Sequence, residues 1–172
     1  GKPPILVFIH GGYWRALDKA DFHFTAPPYV ESGITYVPIN YGLIPAVSVD
    51  EIVRQCRAAI SWMFRNPQAH GGDLGRLYVS GHSAGGHLAP LVLAHDWRAD
   101  GLPAGAVRGA VAISGLFDLE PISLCYLAEG MRLDTAAIRR LSPIHLVPPA
   151  SRPQPPLVLC VGSEESPEFL RQ

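Results

Sequence analysis

The residues best suited to chemistry lie near the middle of the chain, in the segment Gly81-His82-Ser83-Ala84-Gly85. This segment fits the G-x-S-x-G pattern, and it stands where an apolar run ends and a helical pattern begins. Small residues on both sides of the serine permit a tight strand-to-helix turn that projects the hydroxyl outward. The first turn of the helix would direct free N–H groups at a developing negative charge. We therefore predict that Ser83 is a nucleophile for acyl transfer; a glycine-rich packing turn is the competing interpretation.

A second segment with chemical potential, His10-Gly11-Gly12-Tyr13-Trp14, follows the first apolar run. Acyl transfer needs two or more N–H donors close to the oxygen of the tetrahedral intermediate, and glycine lets the backbone approach a substrate closely. We predict an oxyanion hole made by the N–H groups of Gly11 or Gly12 and of Ala84, with the choice between the two glycines left open. For His10 we favour bracing of the loop by hydrogen bonds over the role of catalytic base.

Three further side chains in these segments are candidates for the substrate pocket: Tyr13, Trp14 and His82. Packing within the loop is the alternative role for each of them. The packing role is favoured for Trp14, whereas the two roles are equally supported for Tyr13. His82 lies inside the turn itself, where it either packs or faces the substrate.

The elements that must position these residues are visible as alternating apolar and helical patterns. Five apolar runs predict strands over Pro4–His10, Ile34–Ile39, Arg76–Ser80, Val107–Ser114 and Leu157–Val161. A helix is predicted after Ser48, which forms a capping box with Glu51, and others over Ala84–Trp97 and Asp134–Leu141. The stretch Pro148–Pro156 is predicted to be a surface loop. Alternating strands and helices predict an α/β fold with a mostly parallel sheet and helices on both faces.

Composition restricts the partners of the chain. Its 172 residues have a net charge of −1, from 14 basic and 15 acidic residues, and no basic run stands out, so nucleic acid is not an expected partner. No apolar stretch reaches the length of a membrane span. The cysteines, Cys56, Cys125 and Cys160, lie in apolar surroundings and are expected to be buried thiols in a reducing compartment. These features favour a cytoplasmic protein without a membrane partner.

The two motifs together resemble the HGGxW branch of the α/β-hydrolases, and more narrowly arylformamidase (kynurenine formamidase) and its bacterial relatives. Two further stretches carry the narrower resemblance, Ser114–Ile122 (SGLFDLEPI) and Ser166–Gln172 (SPEFLRQ). The resemblance implies an α/β-hydrolase fold and hydrolysis of N-formyl-L-kynurenine to kynurenine and formate, a step in tryptophan catabolism. It also implies a Ser/acid/His triad with no metal and no cofactor.

The resemblance also indicates where the triad acid should lie. In the family it follows the strand that matches Leu157–Val161, three residues after a glycine, and counting from Gly162 leads to Glu165. The family usually has Asp at this position, although Glu can orient a histidine as well. Glu164 and Asp118 are the alternatives, and an ordinary charged loop residue is the competing interpretation for all three.

The triad base has no counterpart in the expected place. The family order along the chain is serine, acid, histidine, yet all seven histidines precede Glu165. We therefore expect that residues 1–172 form a single, incomplete α/β-hydrolase domain. On this expectation it lacks N-terminal strands and a C-terminal helix and strand, with the histidine beyond Gln172. Without its base, the chain by itself would have reduced or no activity.

The function we expect is therefore an arylformamidase-like hydrolase acting on a small-molecule substrate. A carboxylesterase for small acyl groups is the alternative within enzymes. A hydrolase-fold domain that binds but does not catalyse is the alternative outside them. A homodimer is left open as an assembly.

Overall fold

The computed structural model describes residues 1–147 and 154–172, so most of the loop predicted over Pro148–Pro156 lies outside the described residues. One parallel sheet organises the domain, with strand order β2-β1-β3-β4-β5. The strands are β1 (Pro4–Ile9), β2 (Thr35–Ile39), β3 (Asp73–His82), β4 (Ala110–Ile113) and β5 (Leu157–Cys160). The five predicted strands are thus all present.

Helices connect the strands, as expected for parallel neighbours. They are α1 (Ala26–Glu31), α2 (Val49–Arg65), α3 (Ala84–Leu93), α4 (Glu120–Ser123), α5 (Thr135–Leu141) and α6 (Pro167–Arg171). Short 3₁₀ turns cover Lys19–Thr25, Pro67–Ala69, Trp97–Asp100, Tyr126–Ala128 and Pro143–Leu146. Among the described residues, no helix combines the length and the apolar character needed to cross a membrane.

The strand order brings the two chemically interesting segments together. The chain runs from β1 to β2 on one side and then returns to β3 on the other side of β1. In the β1–β3 ladder Ile9 lies opposite Gly81, so the segments that follow both strands leave the same edge of the sheet side by side. Open α/β sheets bind ligands at such a switch in strand order, beyond the carboxyl ends of the strands.

Helix α2 is the main amphipathic helix of the domain, and its start differs in detail from the prediction. Ser48 Oγ accepts a hydrogen bond of 3.2 Å from the backbone N–H of Glu51, as in a capping box. The Glu51 carboxylate, however, binds Arg54 and Gln55 instead of returning to the Ser48 backbone. Only half of the predicted capping box therefore forms. The apolar side of α2, including Ile52 and Cys56, is buried in the core.

Strand β4 is shorter than predicted, Ala110–Ile113 instead of Val107–Ser114, and most other predicted elements differ by about one residue at an end. Two further differences have a visible cause. Helix α3 ends at Leu93 instead of Trp97, because Asp96 caps a separate 3₁₀ turn by accepting the backbone N–H of Arg98. Strand β3 begins three residues before the predicted start, since the Asp73 N–H bonds to the carbonyl of Pro3 (2.7 Å) and extends the pairing with the start of the chain.

The cysteine prediction is wrong for two of the three thiols. Cys56 is fully buried, and burial raises the pKa of its thiol to about 12. Cys125 and Cys160 are exposed. The described part of the chain gives β5 a strand neighbour only on its β4 side, and its residues are exposed despite their apolar character. Cys125 lies just after the short helix α4, away from the core.

Candidate active site

Ser83 stands at the junction of β3 and α3 in a conformation that side chains rarely adopt. Its backbone angles are φ 56° and ψ −117°. Its N–H donates to the carbonyl of Ile113 (2.8 Å), which ties the turn to β4, and its carbonyl accepts from His87 N–H (3.0 Å). Such a conformation costs about 1–3 kcal/mol and persists only where the surroundings impose it. The strained strand-to-helix turn predicted from the motif is therefore present.

The two glycines of the G-x-S-x-G motif are required by close backbone packing. A Cβ atom on Gly81 would lie 2.2 Å from the carbonyl oxygen of Gly85. A Cβ atom on Gly85 would lie 1.9 Å from the carbonyl oxygen of Ile9, at the end of β1. Only glycine allows the first turn of α3 to approach both strands so closely. This contact holds Ser83 directly beside the loop that follows β1.

Gly11 is the residue of that loop that lies against the candidate nucleophile. A Cβ atom on Gly11 would stand 3.1 Å from Ser83 Cβ and 2.9 Å from the His82 carbonyl oxygen. Gly12 instead has φ 106°, and its carbonyl accepts the N–H groups of Arg15 and Ala16 in a tight turn. The geometry thus places the Gly11 backbone nearest to Ser83.

The third predicted oxyanion donor is Ala84, the first residue of α3. It is buried, and its N–H belongs to the first helical turn, whose donors have no acceptor within the helix. The positive end of the helix dipole adds to the potential at this point. The arrangement is suited to stabilising a negative oxygen next to Ser83 Oγ.

His10 is held inside the loop by contacts on several sides. Its Nδ1 donates to the Gly11 carbonyl (2.8 Å), and its ring stacks on Tyr41 with centroids 4.2 Å apart. The Tyr41 hydroxyl in turn donates to the carbonyl of His10 (2.9 Å). Burial lowers the pKa of His10 below its ordinary value. These contacts brace the loop that follows β1, and Tyr41 is a bracing residue that the sequence motifs do not indicate.

The three pocket candidates occupy different environments. Trp14 is completely buried and packs in the core, which is the role that the sequence analysis favoured for it over the substrate pocket. Tyr13 is half-buried with φ 49°, and its ring meets Trp14 edge-on at 6.4 Å. His82 is exposed at the carboxyl end of β3, with Nδ1 3.4 Å from where a Gly11 Cβ would lie. Tyr13 and His82 remain candidates for contact with a substrate.

His87, in helix α3, connects the loop that follows β1 to the core. It is buried, its Nδ1 accepts from the Trp14 indole N–H (3.2 Å), and its Nε2 donates to the Leu141 carbonyl (2.7 Å). Both contacts require the neutral ring, and burial lowers the pKa of His87 to about 4. His87 is therefore a structural histidine that fixes Trp14.

Of the three candidate acids, Glu165 is the one whose carboxylate is held at the carboxyl edge of the sheet. Its Oε1 accepts from the Ser114 hydroxyl, just after β4, and from the Gly162 N–H (3.1 Å). These hydrogen bonds lower the pKa of the Glu165 carboxyl. Asp118 instead accepts from Glu120 N–H and pairs with Arg171 at 3.3 Å. Glu164 is exposed.

The seven histidines occupy three kinds of environment. Two of the seven are buried, two make hydrogen bonds on half-buried turns, and three are exposed. In that order they are His10 and His87, His70 and His95, and His23, His82 and His145. Within residues 1–147 and 154–172, no hydrogen bond joins a histidine ring to Ser83 or Glu165. The same ranges contain no cluster of three or more side chains suited to a metal ion.

The parallel sheet, the strained serine turn and the adjacent glycine loop together define an α/β-hydrolase domain. Comparison with known proteins agrees with this class. The chain belongs to the BD-FAE family, whose sequence profile matches residues 1–100.

Individual relatives show which members of this class the chain is similar to. Kynurenine formamidase of Salmo salar is 34% identical over 171 residues, and that of Danio rerio is 33% identical over 172 residues. Each alignment covers 98% of this chain but 56% and 57% of the relative, so the chain spans little more than half the length of these proteins. A crystal structure of a provisionally named thioesterase from Silicibacter sp. TM1040 matches with a TM-score of 0.81 and 31% identity. This match covers 99% of this chain and 62% of the other. The resemblance to arylformamidase is confirmed.

Proposed function

We propose that this chain carries the nucleophile and the oxyanion hole of a serine hydrolase that cleaves N-formyl-L-kynurenine to kynurenine and formate. The observation that carries the proposal is the position of Ser83. Its φ is 56° at the β3–α3 turn, and its Cβ lies 3.1 Å from where a Cβ atom on Gly11 would stand. The names of the formamidase relatives support the choice of an aryl formamide as substrate.

The proposed reaction follows from these groups. Ser83 Oγ attacks the formyl carbon while a base removes its proton, and the carbonyl oxygen becomes an oxyanion held by N–H groups of Gly11 or Gly12 and of Ala84. Collapse of the intermediate breaks the C–N bond, and the protonated base gives its proton to the leaving aryl amine. Water then hydrolyses the formyl ester on Ser83 and releases formate.

The proton carrier in this scheme is a histidine of the whole protein that lies after Gln172, oriented by Glu165. The hold on Glu165 by Ser114 and Gly162 supports this role for the acid. No metal and no cofactor take part in the proposed reaction. A cytoplasmic location and a small-molecule substrate remain predictions for this protein. Whether it forms a homodimer is left open.

Ester hydrolysis is the alternative activity, because the same serine and oxyanion donors would cleave a small acyl ester or thioester. The similar structure from Silicibacter sp. TM1040 is named a thioesterase, and that name supports ester or thioester hydrolysis as the alternative. The two activities are separated by comparing kcat/KM for N-formylkynurenine with that for a short-chain aryl ester. Turnover of the ester alone would exclude the formamidase proposal.

The non-catalytic alternative is tested on the full gene product, starting with its intact mass. A mass well above the 18.6 kDa of these 172 residues would direct the search for the base to the remaining sequence. Labelling with a fluorophosphonate should then modify Ser83, and Ser83→Ala should abolish both the labelling and turnover. Ser32→Ala, a serine whose hydroxyl bonds to Pro28 at the end of α1, is the matched control. Absence of labelling at Ser83 would favour a binding domain.

A further inference from the structure

The contact between Ser114 and Glu165 joins two segments that are 51 residues apart in sequence. Ser114 follows β4 directly, and Glu165 lies in the turn that follows β5. Because Ile113 lies opposite Cys160 in the ladder between these strands, both residues leave the sheet at the same edge. The Ser114 N–H donates to the Cys160 carbonyl (2.7 Å) and continues the ladder by one residue. The hydroxyl of Ser114 is thereby directed at the Glu165 carboxylate.

The backbone of Ser114 has a conformation that is unusual for serine. Its φ is 48°, in the left-handed region, and the residue is buried. Glycine adopts this conformation without penalty, whereas serine does so at a cost of about 1 kcal/mol or more. Unlike glycine, serine at this position supplies a hydroxyl donor. In this structure the hydroxyl donates a hydrogen bond to the Glu165 carboxylate.

The same carboxylate oxygen receives both donors. Glu165 Oε1 accepts from Ser114 Oγ and from Gly162 N–H, while Oε2 has no hydrogen bond to any residue of the described ranges. The titratable group of β3 that interacts electrostatically with this carboxylate is His82, and Glu164 precedes Glu165 in the same turn. Asp118, in the loop after β4, is instead paired with Arg171. One oxygen of Glu165 is thus fixed, and the other is available.

We propose that Ser114 is a positioning residue for the triad acid, holding one oxygen of Glu165 so that the other can orient the catalytic histidine. This proposal rests on the proposed serine-hydrolase function. Glutamate has one more rotatable bond than aspartate, so an untethered Glu165 would lose more side-chain freedom when it orients a histidine. The Ser114 hydroxyl removes that freedom in advance, which is the usual benefit of a second group that orients a first.

Ser114→Gly in the full gene product tests the proposal, because glycine keeps the backbone conformation and deletes only the hydroxyl. A hydrogen bond to a charged group of this kind is worth about 10-fold or more, so we expect kcat to fall about 10-fold with KM little changed. Ser114→Asn, which tolerates the left-handed region and offers an amide donor, should recover part of the loss. Ser32→Ala is the matched control and should leave kcat unchanged.

A double-mutant cycle shows whether Ser114 acts through Glu165. In a Glu165→Gln background, Ser114→Gly should cause little further loss of kcat. An equal loss in both backgrounds, or full kcat for Ser114→Gly, would overturn the proposal. Wild-type kcat for Glu165→Gln would overturn it too while leaving the serine-hydrolase function intact. Wild-type turnover for Ser83→Ala would instead refute the function itself.

A readout independent of turnover is the titration of the Glu165 carboxyl by carbon NMR. The Ser114 hydrogen bond lowers the pKa of this carboxyl, so Ser114→Gly should raise it and Ser114→Asn should restore it in part. An unchanged pKa of Glu165 in Ser114→Gly would show that the hydroxyl does not hold the carboxylate, and the proposal would be wrong.

Discussion

The indole N–H of Trp14 donates a hydrogen bond of 3.2 Å to Nδ1 of His87, with both side chains fully buried. The rings meet edge to face, at an interplanar angle of 89°. Trp14 belongs to the loop after β1 and His87 to the helix after β3. The contact therefore locks the candidate oxyanion loop to the helix that carries the candidate nucleophile at its start.

Trp14→Phe should destabilise the protein by about 1–3 kcal/mol, because it leaves His87 Nδ1 buried without a donor. The free energy of unfolding is measured by urea denaturation. Trp62→Phe is the matched control. Trp62 is 53% exposed, and its substitution should change the free energy of unfolding by no more than about 0.5 kcal/mol. Equal stability of the two variants would mean that the Trp14–His87 hydrogen bond contributes nothing.

The neutral state of His87 predicts a loss of stability in acid. Its pKa is about 4 in the folded protein, below the ordinary value of 6.5, so between these pH values the unfolded chain binds a proton that the folded chain does not. Stability is therefore fully present above about pH 6.5 and decreases as the pH falls towards 4, by about 3 kcal/mol for this group. Urea denaturation at several pH values measures the slope.

The control for this slope is His87→Gln, which does not titrate and keeps a donor that can reach the Leu141 carbonyl. Its free energy of unfolding should depend less on pH between 4 and 6.5 than that of the natural protein. The same slope in both proteins would show that another group is responsible.

Gly85→Ala should disrupt the turn, because the added Cβ would lie 1.9 Å from the Ile9 carbonyl oxygen. Neither backbone segment can move without disturbing the β1–β3 ladder, so we expect a loss of about 3 kcal/mol or more. Gly75→Ala is the control, since its Cβ would approach Asp73 Oδ1 no closer than 3.2 Å. The melting temperatures of both variants are compared by thermal unfolding. A Gly85→Ala protein as stable as the Gly75→Ala protein would contradict the close approach of Gly85 to the Ile9 carbonyl.

The backbone conformation of Ser83 should lower the stability of the folded protein, as expected for a residue held in a strained turn for its proposed role as nucleophile. At φ 56°, glycine is favoured over alanine, so Ser83→Gly should be about 1 kcal/mol more stable than Ser83→Ala. Both variants should lose fluorophosphonate labelling. Denaturation midpoints measure the difference in stability, and identical midpoints would mean that the turn is not strained at this position.

Local sequence patterns determined much of this protein. The apolar runs and their alternation with helical segments predicted the five strands and the parallel sheet, because a strand buried on both faces must be apolar throughout. The G-x-S-x-G spacing predicted the turn at Ser83, because only small neighbours permit that turn. These features depend on residues close together in the chain, where sequence is informative.

Long-range contacts were decided only by the tertiary structure. The sequence did not show that Trp14 would be buried against His87, or that Cys160 would be exposed on an apolar strand. It left three acids open, and it did not show that the pairing of β4 with β5 would bring the Ser114 hydroxyl to Glu165. Such contacts join residues tens of positions apart, and their formation depends on the strand order and register of the sheet. Local propensity carries no information about either.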